Sequence, residues 1–428
     1  MAMEWMWKPL VRRLATGRWS RLRMERIQPP LPSNGLKQPG LYLHVPFCRN
    51  LCPYCPYHKL RYDDEQYAVF EKAAHEEIDL YTPYLRGGLV SSLYIGGGTP
   101  TVHLEGLLRL TRHILSNFDV AGGVCIELNP ADMDGQCLQR LREAGVSMVS
   151  VGVQSTSDRL LNLLGRNHDG ATAIDAVRRA VRSGFEAVNA DLMFALPNQT
   201  PAQWRTDLRR VLAEGVDQVS TYPVFSFPYS DLGVRLGLAS VRRPPERTLR
   251  DMLRLTDELA GRHGLERCAV WSWLRPARNK FSSVSRHHYI GFGPSAASML
   301  GSCLYVNTFD VEQYAASLPS RRPVALAMPM GRRMEMTYWL YWRLYELHAA
   351  ERDFQAVFGP GASLQRTFGP LLRGLGRAGW LRREPGGYRV TERGAYWLHR
   401  LQNAFNLSYI NRLWGRCRQT AWPEDMNL

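Results

Sequence analysis

From residue 41 to about 274 the chain alternates short β-branched or aromatic runs with longer helical patterns. That alternation constrains it more than any other feature, because repeated βα units assemble their strands into a parallel sheet. The strand candidates are 41–45, 91–97, 123–129, 148–153, 187–194 and 218–224. Helical patterns fall between them at 62–82, 104–117, 136–144, 171–183 and 203–214, with a further one at 248–263. The series predicts an α/β fold, a partial (βα)6 TIM-like barrel over residues 37–275. Chemistry in such barrels gathers at the C-terminal ends of the strands. Cys48, Gly96, Gly97, Gly98, Glu127, Gln154 and Asp191 all fall on that face or lead into it.

The flanks read differently. Residues 1–36 form a basic N-terminal extension, and the arginine-rich stretch 8–26 fits an amphipathic helix that is solvated or lies on a membrane or partner. The Gly/Ser/Pro-rich run HHYIGFGPSAASMLG at 287–301 reads as a turn-rich active-site loop within a connecting segment, 276–325. From 326 to 428 the pattern is mainly helical, with runs at 334–351, 363–380 and 392–402 and a short turn before the last. Helix, helix, hairpin, helix is a winged-helix-like order. Arg373, Arg377, Arg382 and Arg383 cluster there, but no other nucleic-acid signature accompanies them, so a lid or substrate-side domain is expected and nucleic acid is not.

Lysine and arginine number 54 against 39 acids, a net charge of +15 that suits an anionic partner such as a substrate with several carboxylates. No apolar run approaches the roughly 20 residues of a spanning helix, and the N-terminus lacks the pattern of a secretory signal. A cytoplasmic location is expected, and a monomer. Of eight cysteines, three lie within CRNLCPYC as Cys48, Cys52 and Cys55, spaced C-x3-C-x2-C directly after a strand. Three thiolates hold three irons of a [4Fe–4S] cube and leave the fourth without a protein ligand. Structural zinc needs four ligands, which His58 would have to complete, and zinc ligands usually come in two separated halves.

The stretch YLHVPFCRNLCPYC resembles the motif of the radical S-adenosylmethionine (SAM) superfamily, with Tyr54 before the last cysteine. The successive motifs YIGGGTPT (94–101), CIELNP (125–130), SVGVQS (150–155), NADLMFALPNQT (189–200) and IGFGPSAAS (290–298) are similar, in order, to those of the oxygen-independent coproporphyrinogen III oxidase family. The resemblance runs over about 41–400. It implies a radical SAM barrel in which SAM chelates the open iron and one electron cleaves it to methionine and a 5′-deoxyadenosyl radical. It also implies a site for that SAM at Tyr42, Tyr54, Gly96, Gly97, Gly98, Thr99, Glu127, Gln154, Arg166 and Asp191. A second SAM, as methyl donor, is implied beside the first, held in part by Gly291, Gly293, Ser295 and Ala296.

Departures narrow the activity. Residues 27–40 lack the Arg-Tyr-Thr-Ser-Tyr-Pro segment of the decarboxylating enzymes, Tyr57 stands where they carry a fourth cysteine, and NAFNLSY at 403–409 poorly matches their Cys-Phe-Asp segment. The expectation is therefore methyl or methylene transfer from a second SAM to an sp2 carbon of an aromatic or tetrapyrrole-like substrate. Coproporphyrinogen-type decarboxylation, anaerobic haem ring opening and a non-catalytic haem chaperone are the alternatives. An electron donor such as flavodoxin or ferredoxin is the expected partner. Tyr222, Tyr229, His287, His288 and Tyr289 are the polar aromatic candidates for the substrate pocket, and Trp271 and Trp273, two apart, are expected on one face of a strand.

Overall fold

The computed structural model describes residues 22–31, 38–85, 89–224, 244–282, 287–405 and 409–428, with Arg13, Gly17 and Ser230. Most of the 8–26 stretch, and Tyr229, lie outside the described residues. Six parallel strands form the centre: β1 Gly40–Val45, β2 Ser92–Gly97, β3 Val124–Leu128, β4 Val146–Gln154, β5 Ala187–Phe194 and β6 Gln218–Pro223, neighbours in that order. Around them lie α1 Asp64–Leu85, α2 Leu104–Asn117, α3 Gly135–Glu143, the short α4 Asp158–Leu163, α5 Gly170–Arg182, α6 Pro201–Leu212 and α7 Glu246–Arg262. Each boundary has a local cause. In α6, Thr200 caps the first turn in a reciprocal box with Gln203, and Pro201 takes the position where a missing N–H does no harm. Its buried face, Trp204, Leu208 and Val211, lies against β5 and α7, and the Trp204 indole N–H is satisfied by the Met252 carbonyl and the Thr256 hydroxyl, both at 3.1 Å.

The sheet continues beyond the six expected strands. A hairpin, β7 Glu266–Ala269 and β8 Ser272–Leu274, adds antiparallel to β6. The segment 287–301, expected as a loop, is instead two strands. Within it β9 Tyr289–Phe292 runs parallel to β1, with Gly291 opposite Tyr42 and Phe292 opposite Leu43, and β10 Ala297–Leu300 turns back. Then β11 Cys303–Asn307 and β12 Val324–Pro329 follow in antiparallel order to complete twelve strands. The boundaries 276–325 and 326–428 therefore cut through a continuous sheet. Glycine and serine disguised this part because a strand wedged between β1 and a return strand has little room for side chains: a Cβ on Gly291 would meet the Ala297 carbonyl oxygen at 2.3 Å.

Beyond β12 the chain is mainly helical, with α8 Val311–Ser317 set between β11 and β12 and a separate unit after them. That unit comprises α9 Arg332–Tyr345, β13 His348–Ala350, α10 Glu351–Phe358, α11 Leu364–Arg377, β14 Leu381–Glu384, β15 Gly387–Val390 and α12 Glu392–Phe405. Its three strands pair in the order β13-β15-β14, the winged-helix-like arrangement, over a core of Trp339, Leu340, Phe354, Phe368 and Leu372. Helix α13, Asn411–Gln419, follows. Trp271 and Trp273 are not on one face. Trp271 occupies the turn of the β7–β8 hairpin, where period-two alternation lapses, and donates to His399 at 2.7 Å in the C-terminal core, while Trp273 packs in the barrel core and donates to Asp257 at 2.8 Å.

One buried carboxylate ties the late strands to the first helix. Glu77 of α1 is fully buried and accepts from the Gly293 N–H (2.7 Å), Asn307 Nδ2 (2.8 Å) and the Tyr314 hydroxyl (2.6 Å). Burial pushes its pKa up to about 7, against the pull of those three hydrogen bonds and of Arg322. A folded-state pKa above the unfolded value means that the contribution is fully present below about pH 4.5 and is lost as pH rises through 7. We expect wild-type stability relative to Glu77→Gln to fall across that window by an amount on the order of 3 kcal/mol. Thermal unfolding of both proteins from pH 4.5 to 8 checks it; a constant difference between them contradicts the assignment.

Candidate functional site

The cysteine segment is a closed ring of chain at the C-terminal end of β1. Residues Phe47–Cys48 pair in parallel with Leu60–Arg61, the Leu60 N–H reaches the Pro46 carbonyl at 2.6 Å, and the Tyr62 N–H reaches that of Cys48 at 2.9 Å. Side chains brace the ring, three from within it and one from outside. Arg49 donates to the Val102 carbonyl (2.8 Å), Asn50 to that of Gly165 (2.6 Å), Lys59 to that of Cys55 (2.9 Å) and Arg418 to those of Pro56 (3.1 Å) and Tyr57 (2.7 Å). All three cysteines are free thiols; Cys48 and Cys52 are buried and Cys55 is half-buried. Burial pushes Cys48 up to about 12, its hydrogen bond with Thr99 acts the other way, and the neighbouring Cys55 and Cys52 push it further up. Stabilising thiolates here therefore takes a cation or metal.

The glycine run closes over this ring. In the β1–β2 register His44 faces Gly96 and Val45 faces Gly97. Gly97 has φ +113°, and a Cβ there would meet the His44 ring at 2.8 Å. A Cβ on Gly98 would meet the Phe47 carbonyl oxygen at 2.5 Å and the Cys48 Sγ at 2.9 Å. Gly98 is thus held against the Cys48 thiol, and Gly96 and Gly97 against Glu127 and His44, with no space for side chains. Thr99 continues it, donating its N–H to the Phe47 carbonyl at 2.7 Å.

Two carboxylates lie deeper. Glu127, in β3, accepts from the Tyr94 hydroxyl at 2.5 Å and from the Gly97 N–H at 3.3 Å. Burial pushes it up to about 7; Tyr94 and Gly97 oppose this and Asp191 adds to it. Asp191, in β5, accepts from Ser150 Oγ (2.7 Å) and Asn189 Nδ2 (2.9 Å), and burial raises it to about 6. Both groups sit near neutrality, and each keeps acceptor capacity for a donor-bearing or cationic ligand. Gln154 ends β4 with φ +63°. Arg166 is not a solvated surface arginine. It donates to Asn129 Oδ1 at 2.7 Å and to the Gly152 carbonyl at 3.0 Å, approaches the Cys52 Sγ at 3.7 Å and pairs with the buried Tyr54 phenol, while its Nε is buried without a partner.

Tyr42 donates to His44 Nδ1 at 2.7 Å. That direction follows because His44 Nε2 lies 3.1 Å from the His58 carbonyl, which only accepts, so Nε2 carries the proton. Burial holds His44 neutral, with its pKa lowered to about 4. His44 and Tyr94 escaped the sequence reading as site residues, although their two-residue spacings from Tyr42 and Gly96 were the available signal. Tyr57 was noted only as a departure. It is half-exposed, its ring centroid is 5.8 Å from that of Trp414 in α13, and its charge would be felt by Tyr42, Tyr222 and Tyr345. Tyr222 is half-buried beside Trp271, with centroids 6.0 Å apart.

His287, His288 and Tyr289 do not join this group. They stand at the N-terminal end of β9, and since β9 is parallel to β1 that end is opposite the cysteines. There Gly40 donates to the His288 carbonyl, His287 packs on Phe358 and Tyr289 meets Tyr338. Gly293, Ser295 and Ala296 are at the correct end, in the turn after β9, but the N–H groups of this turn are engaged within the protein. Gly291 donates to Ser298 Oγ, Gly293 to Glu77, Ser295 to the Thr308 carbonyl and Ala296 to that of Gly293.

The donor set fits an iron–sulfur cluster better than a single ion. Among the described residues no three His, Cys, Asp or Glu side chains are gathered as ligands of one metal would be. His58, the needed fourth zinc ligand, packs on Phe309 at 5.0 Å and bonds to its carbonyl. The side-chain-free backbone over Cys48 and the orphaned Arg166 Nε are the features expected where a further group seats.

Residues 42–211 match the model of the radical SAM superfamily, so the barrel is a radical SAM domain and its cofactors are a [4Fe–4S] cluster and SAM. Its relatives are coproporphyrinogen oxidase-like proteins. The haem chaperone HemW of Bacillus subtilis is 26% identical over 280 residues, 64% of this chain and 74% of that protein. The anaerobilin synthase of Escherichia coli O157:H7 is 24% identical over 382 residues, 86% of this chain and 83% of that protein. In structure the chain is similar to the coproporphyrinogen III oxidase HemN of Escherichia coli, with a TM-score of 0.73 and 23% identity over 86% of this chain and 89% of that one. No helix among the described residues is long and apolar enough to cross a membrane.

Gly98→Ala should lower iron and sulfide bound per chain after anaerobic reconstitution, because the new methyl meets backbone and the Cys48 sulfur. Gly135→Ala, whose Cβ meets nothing within 4 Å, should bind as much as the unaltered protein. Equal loading of the two variants contradicts the packing.

Proposed function

We propose that this chain is a radical SAM enzyme that transfers a methyl or methylene carbon from a second SAM to an sp2 carbon of a tetrapyrrole-like substrate. The observation that carries the reading is the aromatic wall around the cysteine ring: Tyr42, Tyr57, Tyr94 and Tyr222 from the barrel and Trp414 from α13. Flat apolar faces with polar tips suit a large conjugated ring with charged edges. Support also comes from the anaerobilin synthase, whose alignment extends over 86% of the chain, beyond the 64% aligned with HemW. The presence of Tyr57 in place of a fourth cysteine argues against strict coproporphyrinogen decarboxylation.

In this reading Cys48, Cys52 and Cys55 hold the cluster, and Gly96, Gly97, Gly98 and Thr99 line the SAM beside it. Bound here, the two cofactors supply a carbon-centred radical. Glu127 and Asp191 accept from the ligand's amino or hydroxyl groups, Gln154 and Arg166 complete the polar wall, and Tyr54 shields the ring from water. The neutral His44, fixed by Tyr42 and the His58 carbonyl, keeps the floor of the site uncharged. An electron carrier such as flavodoxin or ferredoxin is the proposed reductant. Haem binding without turnover is the second reading, favoured by the HemW alignment over the barrel.

The test is anaerobic reconstitution followed by dithionite, SAM and haem or another tetrapyrrole. 5′-Deoxyadenosine, S-adenosylhomocysteine and bound haem are quantified, and the SAM methyl group is isotopically labelled. Both nucleoside products with label in the substrate support methyl transfer. Deoxyadenosine alone indicates hydrogen abstraction without it, and retained haem with neither product supports the chaperone. Cys52→Ala should remain folded yet form no deoxyadenosine. Trp414→Ala should weaken tetrapyrrole binding by about tenfold while leaving substrate-free deoxyadenosine formation unchanged; the reverse pattern removes Trp414 from the pocket.

A further inference from the structure

A second cavity, of about 390 Å3, opens between α7, the β7–β8 hairpin and α12. It is separate from the barrel mouth, since no cysteine of the ring and neither Glu127 nor Asp191 lines it. Four arginines, Arg250, Arg254, Arg267 and Arg393, line it with two carboxylates, Asp257 and Glu392, while a third, Glu246, lies 3.6 Å from Arg250 on the same helix. Asp257 is already committed: one oxygen faces Arg267 Nη1 at 3.3 Å and the other accepts the Trp273 indole N–H at 2.8 Å. Glu392 comes within 4.0 Å of Arg254, and both side chains are about 70% exposed, so that pair neutralises little. Arg393 makes no hydrogen bond or ion pair among the described residues. Arg267 gives Nη1 to Asp257 and Nη2 to the Val270 carbonyl, at 2.5 Å, and keeps only its Nε buried without a partner. The cavity thus carries guanidinium edges in excess of its acceptors.

The wall beside these edges is flat. Arg250 stacks over the Tyr396 ring at 4.4 Å with its Nη2 toward Glu246, and Trp397 also lines the cavity with its ring stacked on Trp380. Guanidinium forks grip phosphate or carboxylate through paired hydrogen bonds. The volume is within the roughly 300–1,000 Å3 of small-molecule sites and leaves room beyond a bare inorganic anion. We propose that this cavity binds a small organic dianion, a phosphate or pair of carboxylates borne on a flat ring. Its occupant would also join the barrel to the C-terminal unit, because the same elements are already bridged by Glu246 of α7, which meets both Tyr396 and Arg400 of α12.

The experiment is isothermal titration of the reconstituted full chain, saturated with SAM so that the barrel site is filled. The probes are ADP, phthalate as a flat dicarboxylate, and inorganic phosphate as the ringless control. ADP or phthalate should bind more tightly than phosphate; ADP alone identifies a phosphate-bearing source and phthalate alone a dicarboxylate. Arg254→Ala with Arg393→Ala, both on exposed side chains, should weaken that binding by about tenfold or more without changing SAM cleavage. The single change Arg393→Gln gives the same direction should the double variant fold poorly. Heat from neither probe, or unchanged affinity in the variants, overturns the proposal.

Discussion

The register of β1 against β2 is the constraint on which the rest of the site depends. With His44 opposite Gly96 and Val45 opposite Gly97, the chain leaves β1 directly beneath the glycine turn that ends β2. The Phe47 carbonyl and Cys48 sulfur then lie where the Gly98 side chain would be. A slip of one residue would reverse the facing of every side chain on β1. Tyr42 and His44, on one face of the same strand, would turn together away from Tyr94, and the cysteine ring would lose its contact with Thr99. Helix α1 contributes from the far side: Glu77 grips the Gly293 N–H, and Gly293 packs on the His44 carbonyl. Strand β1 is thus fixed by a parallel neighbour on each flank, and the cluster ring inherits that fixity.

Much of this was legible in sequence because it is local. The six parallel strands and their helices follow from periodicity, and the three cysteines, the glycine run, Glu127 and Asp191 follow from their places at strand ends. What was not legible depends on direction and partner. His287 and His288 had suitable chemistry, but whether they face the mouth is decided by the parallel pairing of β9 with β1, which no local pattern encodes. The IGFG run read as a loop because its glycines answer to close neighbours across the sheet. Trp271 and Trp273 obey alternation only if the strand is unbroken, and the hairpin turn at Val270 and Trp271 divides them between two cores.

The chain is strongly basic, yet the barrel interior is not. Near the cysteines stand the carboxyls of Glu127 and Asp191, the Arg166 guanidinium turned toward Cys52 and Tyr54, and Lys59 on the Cys55 carbonyl. Burial brings both carboxyls close to neutral pH, so a positively charged ligand would draw them into their ionised form as it entered, with release of protons. His44, His58 and His168 are all pushed down by the same burial and stay uncharged. The interior therefore holds two carboxyls ready to take up cationic and hydrogen-bond-donating groups.

Helix α13 gives the distant C-terminal region a hold on the cysteine ring. Arg418 takes two successive carbonyls, those of Pro56 and Tyr57, and Trp414 packs on the Tyr57 ring and on Phe309. Tyr57 is thereby held by both ring and backbone, at the position where the decarboxylating enzymes carry a cysteine. In the proposed reading a change of one side chain at that point alters the wall that a substrate meets without disturbing the three cysteines. On that same reading the ring after β1 and the glycine turn after β2 carry the radical chemistry while Tyr57, Trp414 and Tyr222 meet what is placed before it, which is why barrel motifs alone identify the chemistry more readily than the substrate.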